Sequence, residues 1–309
     1  MLTALIERTR EEGEQTLQNE ELGRTQAGLT ELGLTRDHCV DLLRTVTEAP
    51  SSLGGARALR GQLLQAQGEP PAGAFERVLL LHAFLASLDR LADAPLAESV
   101  KRLFCEEVRL AVVPPPGAAH RYDINRNTFV AFCKTATLRR FPAGQLHWEL
   151  SGFPRSWLLQ VNPRSLPQFL YCLIVRMRGL RPVYFIHLNA NRKDRAVLLE
   201  RESNRSYFRM AQSLALQPHV RGLIASSWLH SPDTMAVSPH LSALNRVFLE
   251  NGALVTTMGP ADLESGVFHR SPERKRMYEQ GTFRPTTGLV LWPRADMLAW
   301  AAAHPELAD

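Results

Sequence analysis

The stretch RGLIASSWLHSPDTMAVSPH, residues 221–240, decides the fold. It begins with Gly222-Leu223-Ile224-Ala225, a short apolar run of the kind that forms a buried strand. It then turns polar at Ser226, Ser227, Trp228, His230, Ser231 and Asp233. Ser238-Pro239 reads as a helix N-cap followed by proline at the first helical position. A buried strand that runs through polar residues into a helix is a unit of an open α/β sheet. Ligands of such sheets sit beyond the carboxyl ends of the strands. The candidate site is therefore placed here.

Working outward, the C-terminal half repeats this pattern. Strands are expected at 183–188 (VYFIHL), 220–225, 253–258 and 288–292, and helices at 165–178, 202–216, 239–251, 270–280 and 295–303. The polar, basic stretch 189–195 reads as a loop. In the 165–178 helix, Phe169, Leu170, Leu173, Ile174 and Met177 form the expected buried face. Gly252 closes the helix before it as a C′ residue. The alternation implies an α/β domain with a mixed or largely parallel sheet. Ahead of it, FPAGQLHWELSGFPRSWLLQV (141–161) is punctuated by Gly144, Gly152 and Pro154. It reads as two short strands, 145–150 and 156–161. Residues 129–141 fit either a strand or a short helix.

The first 112 residues read as helical. Thr35 is the expected N-cap of a helix whose apolar face is Val40, Leu42, Leu43 and Val46. Residues 75–91, FERVLLLHAFLASLDRL, are apolar round most of the circumference and read as the central helix of a bundle. His82 lies in that run as a core histidine. Pro114-Pro115-Pro116-Gly117 ends the last helix, so the expected domains are 1–113 and 120–309, with the site in the second.

At 309 residues, 45% apolar and 22% charged, the chain has an ordinary globular composition. No apolar run approaches the roughly 20 residues that span a bilayer. The N-terminal MLTALIERTREEGEQ has no apolar core of a secretory signal. The four cysteines form no CxxC pair and read as buried, reduced thiols of a cytoplasmic protein. Residues 1–110 carry 12 Lys+Arg against 17 Asp+Glu, and the rest carry 24 against 14. The basic residues of the second half are scattered among apolar elements, without a zinc-finger, RNP or basic-helix pattern, which speaks against nucleic acid as a partner. A small anionic metabolite suits the arginine-rich half better. The acidic helical half is available as a homo-oligomer interface.

Several residues carry candidate chemistry. His147 and Glu149 are two apart on an expected strand and so share a face. With His230 they form an acid–base set for proton transfer in a group-transfer reaction. Arg155 and Arg221 are candidates to hold an anionic group, with Ser227, Trp228 and His187 as further substrate contacts. The same histidines with Glu149 also suit a two-His-one-carboxylate metal site. There is no Gly-x-Ser-x-Gly elbow, P-loop or Gly-rich dinucleotide turn. The helix Ser271–Gly281, SPERKRMYEQG, reads as a solvated basic face.

Two resemblances bear on the reaction. FPAGQLHWE resembles the first half of a cupin motif, with Glu149 in place of the second histidine, and this implies a metal. LNRVFLENGALV (244–255) resembles the last helix and strand of GNAT-type acyltransferases, which implies acyl transfer from acyl-coenzyme A. Phe248 stands where those enzymes often carry a tyrosine general acid. Their Gln/Arg-x-x-Gly-x-Gly/Ala loop has no counterpart in residues 192–201, which contain no glycine. A non-catalytic regulatory or scaffold role is the third reading.

Overall fold

The computed structural model describes residues 1–48, 53–68, 70–71, 73–114, 122–188, 199–268 and 271–308. The chain divides into two compact units, Met1–Pro142 and Ala143–Asp309.

The first unit is helical. Its elements are α1 (Leu2–Leu17), α2 (Glu20–Glu31), α3 (Arg36–Glu48), α4 (Leu53–Gln67), α5 (Ala74–Leu91), α6 (Glu98–Val112) and α7 (Asn127–Ala136), followed by a short strand β1 (Arg140–Pro142). The all-round apolarity of α5 is explained by its neighbours: α1, α2, α3, α6 and α7 pack round it, and even Glu76, Arg77 and His82 are buried. Arg77 answers for its burial by donating to the carbonyls of Ala111 (3.3 Å) and Val112 (3.0 Å) and by pairing with Glu21. It thereby satisfies acceptors that the end of α6 leaves open. His82 Nε2 lies 2.6 Å from Gln26 Oε1.

Of residues 129–141, which fit either a strand or a short helix, those to Ala136 belong to α7, which packs on α3 and α5, and Arg140 and Phe141 to β1. The first unit therefore extends past the proline-rich joint expected to end it, whose residues 115–119 lie outside the described ones. Ser87 Oγ, which donates to Ala136 O at 2.6 Å, helps to hold α7 there.

The second unit is α/β. Its strands are β2 (Leu146–Ser151), β3 (Val183–Leu188), β4 (Gly222–Ser227), β5 (Leu254–Pro260) and β6 (Thr286–Pro293). They lie in the order β2-β3-β4-β6-β5. Only β3 and β4 run parallel. The β2/β3, β4/β6 and β5/β6 pairs are antiparallel, so the sheet is mixed rather than largely parallel. The helices are α8 (Leu166–Tyr171), which runs into a π turn (Cys172–Arg176), then α9 (Glu200–Ala215), α10 (Pro232–Val237), α11 (Ala243–Glu250), α12 (Pro272–Glu279) and α13 (Arg294–Ala303).

Two layers cover the sheet. Residues 153–177 cover one face, where Phe153, Val161, Phe169, Cys172, Leu173 and Met177 pack on Val183, Ile224, Leu289 and Leu291. On the other, Tyr207 of α9, Phe248 of α11, Trp292 of β6 and Trp300 of α13 form a chain of ring contacts with centroids 5.0–6.0 Å apart. Such edge-to-face and tilted pairs add to the burial of large apolar area.

Three expectations need correction. Residues 156–161 are not a strand: Arg155–Leu159 is a 3₁₀ turn, because Trp157 and Leu158 both go down onto the sheet instead of alternating. The 239–251 helix is broken into a 3₁₀ turn at Pro239–Leu241 and α11, and α10 precedes it, started by Ser231-Pro232. In α8 and the π turn, Leu170 and Ile174 are exposed, while Phe169, Cys172, Leu173 and Met177 are buried. Residues next to a buried position stand about 100° round a helix from it, which takes Leu170 and Ile174 off the sheet. The 189–195 loop lies outside the described residues.

Candidate functional site

The β2/β3 ladder sets His147 opposite His187 and Glu149 opposite Phe185. Directly opposed residues share a face, so His147, Glu149, Phe185 and His187 stand together on the face covered by residues 153–177. His187 Nε2 lies 3.1 Å from Glu149 Oε1, diagonally across the ladder, with side chains 25% and 14% exposed. His147 is buried. An aromatic run lines the pair: His187 and Phe185 have ring centroids 4.7 Å apart, and Phe185 and Trp157 5.5 Å.

Strand β4 extends this level. Phe185 pairs with Ile224 in the parallel ladder, so two residues further along Ser226 falls beside His187. Ser226 is opposite Leu289, and Leu289 opposite Thr256. One row across the sheet thus reads His147, His187, Ser226, Leu289, Thr256. At its far end Thr256 Oγ1 is 2.6 Å from Ser165 Oγ. An open cavity of about 350 Å³ lies there, lined among others by Asn162, Arg164, Ser165, Gln168, Thr256 and Thr257. Asn162 Oδ1 accepts from Arg164 N at 3.0 Å, and Asn162 N donates to Thr257 O, which ties the lining to the edge strand.

His230 belongs elsewhere. It sits in the 3₁₀ turn after β4, buried, with its ring 5.6 Å from Phe248 in the layer on the opposite face. Its Nδ1 is 2.8 Å from Asn245 Oδ1, and burial pushes its basicity below the usual histidine range. The expected trio of His230, Glu149 and His147 is therefore divided by the sheet. His230 is likewise parted from the other three residues of the expected metal set. Among the described residues no three His, Cys, Asp or Glu side chains are placed to hold a metal ion.

The expected anion holders also stand apart. Arg221 precedes β4 and Ser227 ends it, and a six-residue strand is about 20 Å long. Arg155 is exposed and follows the end of β2 that pairs with Val183, not the end that carries His147. Ser227 Oγ accepts from Leu229 N and caps the 3₁₀ turn. Trp228 carries Arg274 over its ring at 5.0 Å, so one ring face is already occupied. Arg274 is the buried exception on an otherwise solvated basic helix. It donates to Val267 O (2.8 Å) and Ser238 Oγ (2.9 Å), and desolvation lowers its basicity.

Ser165, Asn162 and Gln168 had no sequence signal as site residues beyond the Asn-Pro pair that starts a helix. They become a site only because residues 153–168 cross the sheet to its edge strand. No protein-family model, curated protein or solved structure matches this chain. None of its helices among the described residues is long and apolar enough to cross a membrane.

Proposed function

We propose that the second unit is the working part of an enzyme that transfers a group, in our reading an acyl group, to or from a small metabolite. Glu149 and His187 handle the proton. The observation that carries this reading is the 3.1 Å contact between His187 and Glu149 at a partly exposed position beside an aromatic wall. A carboxylate beside a histidine orients the ring and stabilises the imidazolium that forms when it takes a proton. In the transfer, an amine or hydroxyl attacks the carbonyl carbon of an activated acyl donor and gives its proton to His187. The leaving thiolate or alkoxide then takes that proton back, so the pair ends as it began. Ser226 and, beyond Leu289, the Ser165–Thr256 hydroxyls continue the row across the sheet to the cavity at its far end, three strand spacings or about 14 Å from His187. Four buried, free cysteines suit a reducing compartment.

The test uses acetyl-coenzyme A and a pool of primary amines with the full chain, read as release of free thiol. Glu149→Gln and His187→Gln are each expected to slow release about 100-fold or more, the usual contribution of a general base, with an unchanged thermal midpoint. Folded variants that release thiol at the wild-type rate would overturn the assignment.

A further inference from the structure

The helix that covers the first face of the sheet turns a second apolar stripe outward. Leu170, Tyr171, Ile174 and Val175 are 37%, 59%, 64% and 54% exposed. They follow one another as i, i+1, i+4 and i+5, one stripe of a helical surface. Single exposed apolar side chains are ordinary on a protein surface, but a contiguous patch marks an interaction. Leu159, on the 3₁₀ turn of the same covering segment, is 91% exposed.

The charges of the covering segment itself have one sign. Residues 150–188 contain Arg155, Arg164, Arg176, Arg178 and Arg181 and no Asp or Glu. Arg176 is engaged, donating to Asp296 Oδ2 and Gly252 O, both at 2.7 Å. Arg164 and Arg178 flank the helical stretch at its two ends, and both are exposed.

We propose that this stripe docks the protein on an anionic membrane surface. Leu170, Tyr171, Ile174 and Val175 enter the headgroup boundary, and Arg164 and Arg178 meet lipid phosphates. A helix with one apolar stripe and basic flanks lies in the plane of the interface, and a tyrosine is at home at that depth. Two alternatives fit less well. A second copy packed on the stripe about a two-fold axis would set arginine against arginine at its ends, and the segment holds no acid to relieve them. A protein partner is normally fixed in register by charges of both signs, whereas a field of one sign suits a surface that has no register. The proposal does not depend on the reaction assigned above.

The experiment is co-sedimentation of the full chain with phosphatidylcholine vesicles, with or without about one-third phosphatidylglycerol. Binding is expected only to the anionic vesicles and should weaken with added salt. Arg164→Ala with Arg178→Ala should weaken it about 25-fold, at about fivefold per basic residue near the surface. Ile174→Glu with Val175→Glu, at exposed positions that leave the core intact, should abolish it. Three results would each overturn the proposal. The first is a chain that stays in the supernatant with anionic vesicles at low salt. The second is a folded Ile174→Glu/Val175→Glu variant that binds like the wild type. The third is a lipid-free dimer that this double variant dissociates, which would give the stripe to a second copy.

Discussion

His230 donates from Nδ1 to Asn245 Oδ1 at 2.8 Å, a direction settled by the amide itself, because Asn245 Nδ2 is spent on Leu229 O at 2.9 Å. The amide oxygen can then only accept, so the imidazole carries its proton on Nδ1. Both side chains are buried. Removing the amide by Asn245→Ala leaves a buried N–H and a buried carbonyl without these partners. At 1–3 kcal/mol for each unsatisfied group, the expected loss is about 2–6 kcal/mol, read from urea unfolding near neutral pH. A loss below about 0.5 kcal/mol would mean that the contact does not hold the turn after β4.

The same turn depends on a residue with no side chain. A Cβ on Gly288 would overlap the carbonyl carbon of His230 and crowd Ser231 N. The strand β6 and the turn after β4 can approach this closely only across glycine. Gly288→Ala must therefore push backbone from backbone, and a loss of about 3 kcal/mol or more is expected, among the larger effects of single substitutions. Equal urea midpoints for variant and wild type would contradict the approach. Gly54, where a Cβ meets nothing, is the matched control.

Local pattern carried much of this fold. The run VYFIHL is β3 to the residue, and FERVLLLHAFLASLDRL is α5 to within one residue. The α5 helix is decided by burial on nearly all sides and β3 by a short apolar run buried at Val183, Tyr184 and Ile186, and both patterns are local. The sharing of a face by His147 and Glu149 followed from strand periodicity alone. What the pattern could not hold was partnership. Strand order is set by which ladders close, and β6 inserts between β4 and β5 although it comes last. That insertion adds two antiparallel pairs to the antiparallel β2/β3 pair and leaves β3/β4 as the parallel one. His230 looked like a companion of His147 because both lie at strand ends, but the 3₁₀ turn after Ser227 carries it to the opposite face. Arg221 precedes its strand, so the strand's own length separates it from Ser227.

Trp228 and Arg274 give a third expectation. A guanidinium stacked on an indole contributes about 1–2 kcal/mol when it is desolvated, and this one also holds Val267 O and Ser238 Oγ. Lysine keeps the charge but not the planar fork. Arg274→Lys should cost about 1–3 kcal/mol and change the emission of Trp228, which Trp228→Phe in the same background would identify. A lysine variant of unchanged stability and emission would return Arg274 to the solvated face the sequence suggested.

His82 makes the acid sensitivity of the chain predictable. Burial is the main cause that lowers its pKa from 6.5 to about 4, and the nearby Arg36 acts in the same direction. The native ring is neutral above that value, whereas the ring of the unfolded chain takes a proton below about 6.5. Between the two, the unfolded state binds more protons, so stability falls as the pH is lowered through this window and is fully retained above it. Spread over that window, the loss attributable to His82 is about 3 kcal/mol at 1.36 kcal/mol per pH unit. His82→Gln cannot titrate, although its longer side chain must repack beside Gln26. Urea unfolding of the full chain at several pH values between 4 and 7 compares the slopes, not the absolute stabilities. The variant should lose less stability than the wild type as the pH falls, His230 still contributing in the same direction. Parallel curves for the two proteins would show that His82 is not held neutral in the fold.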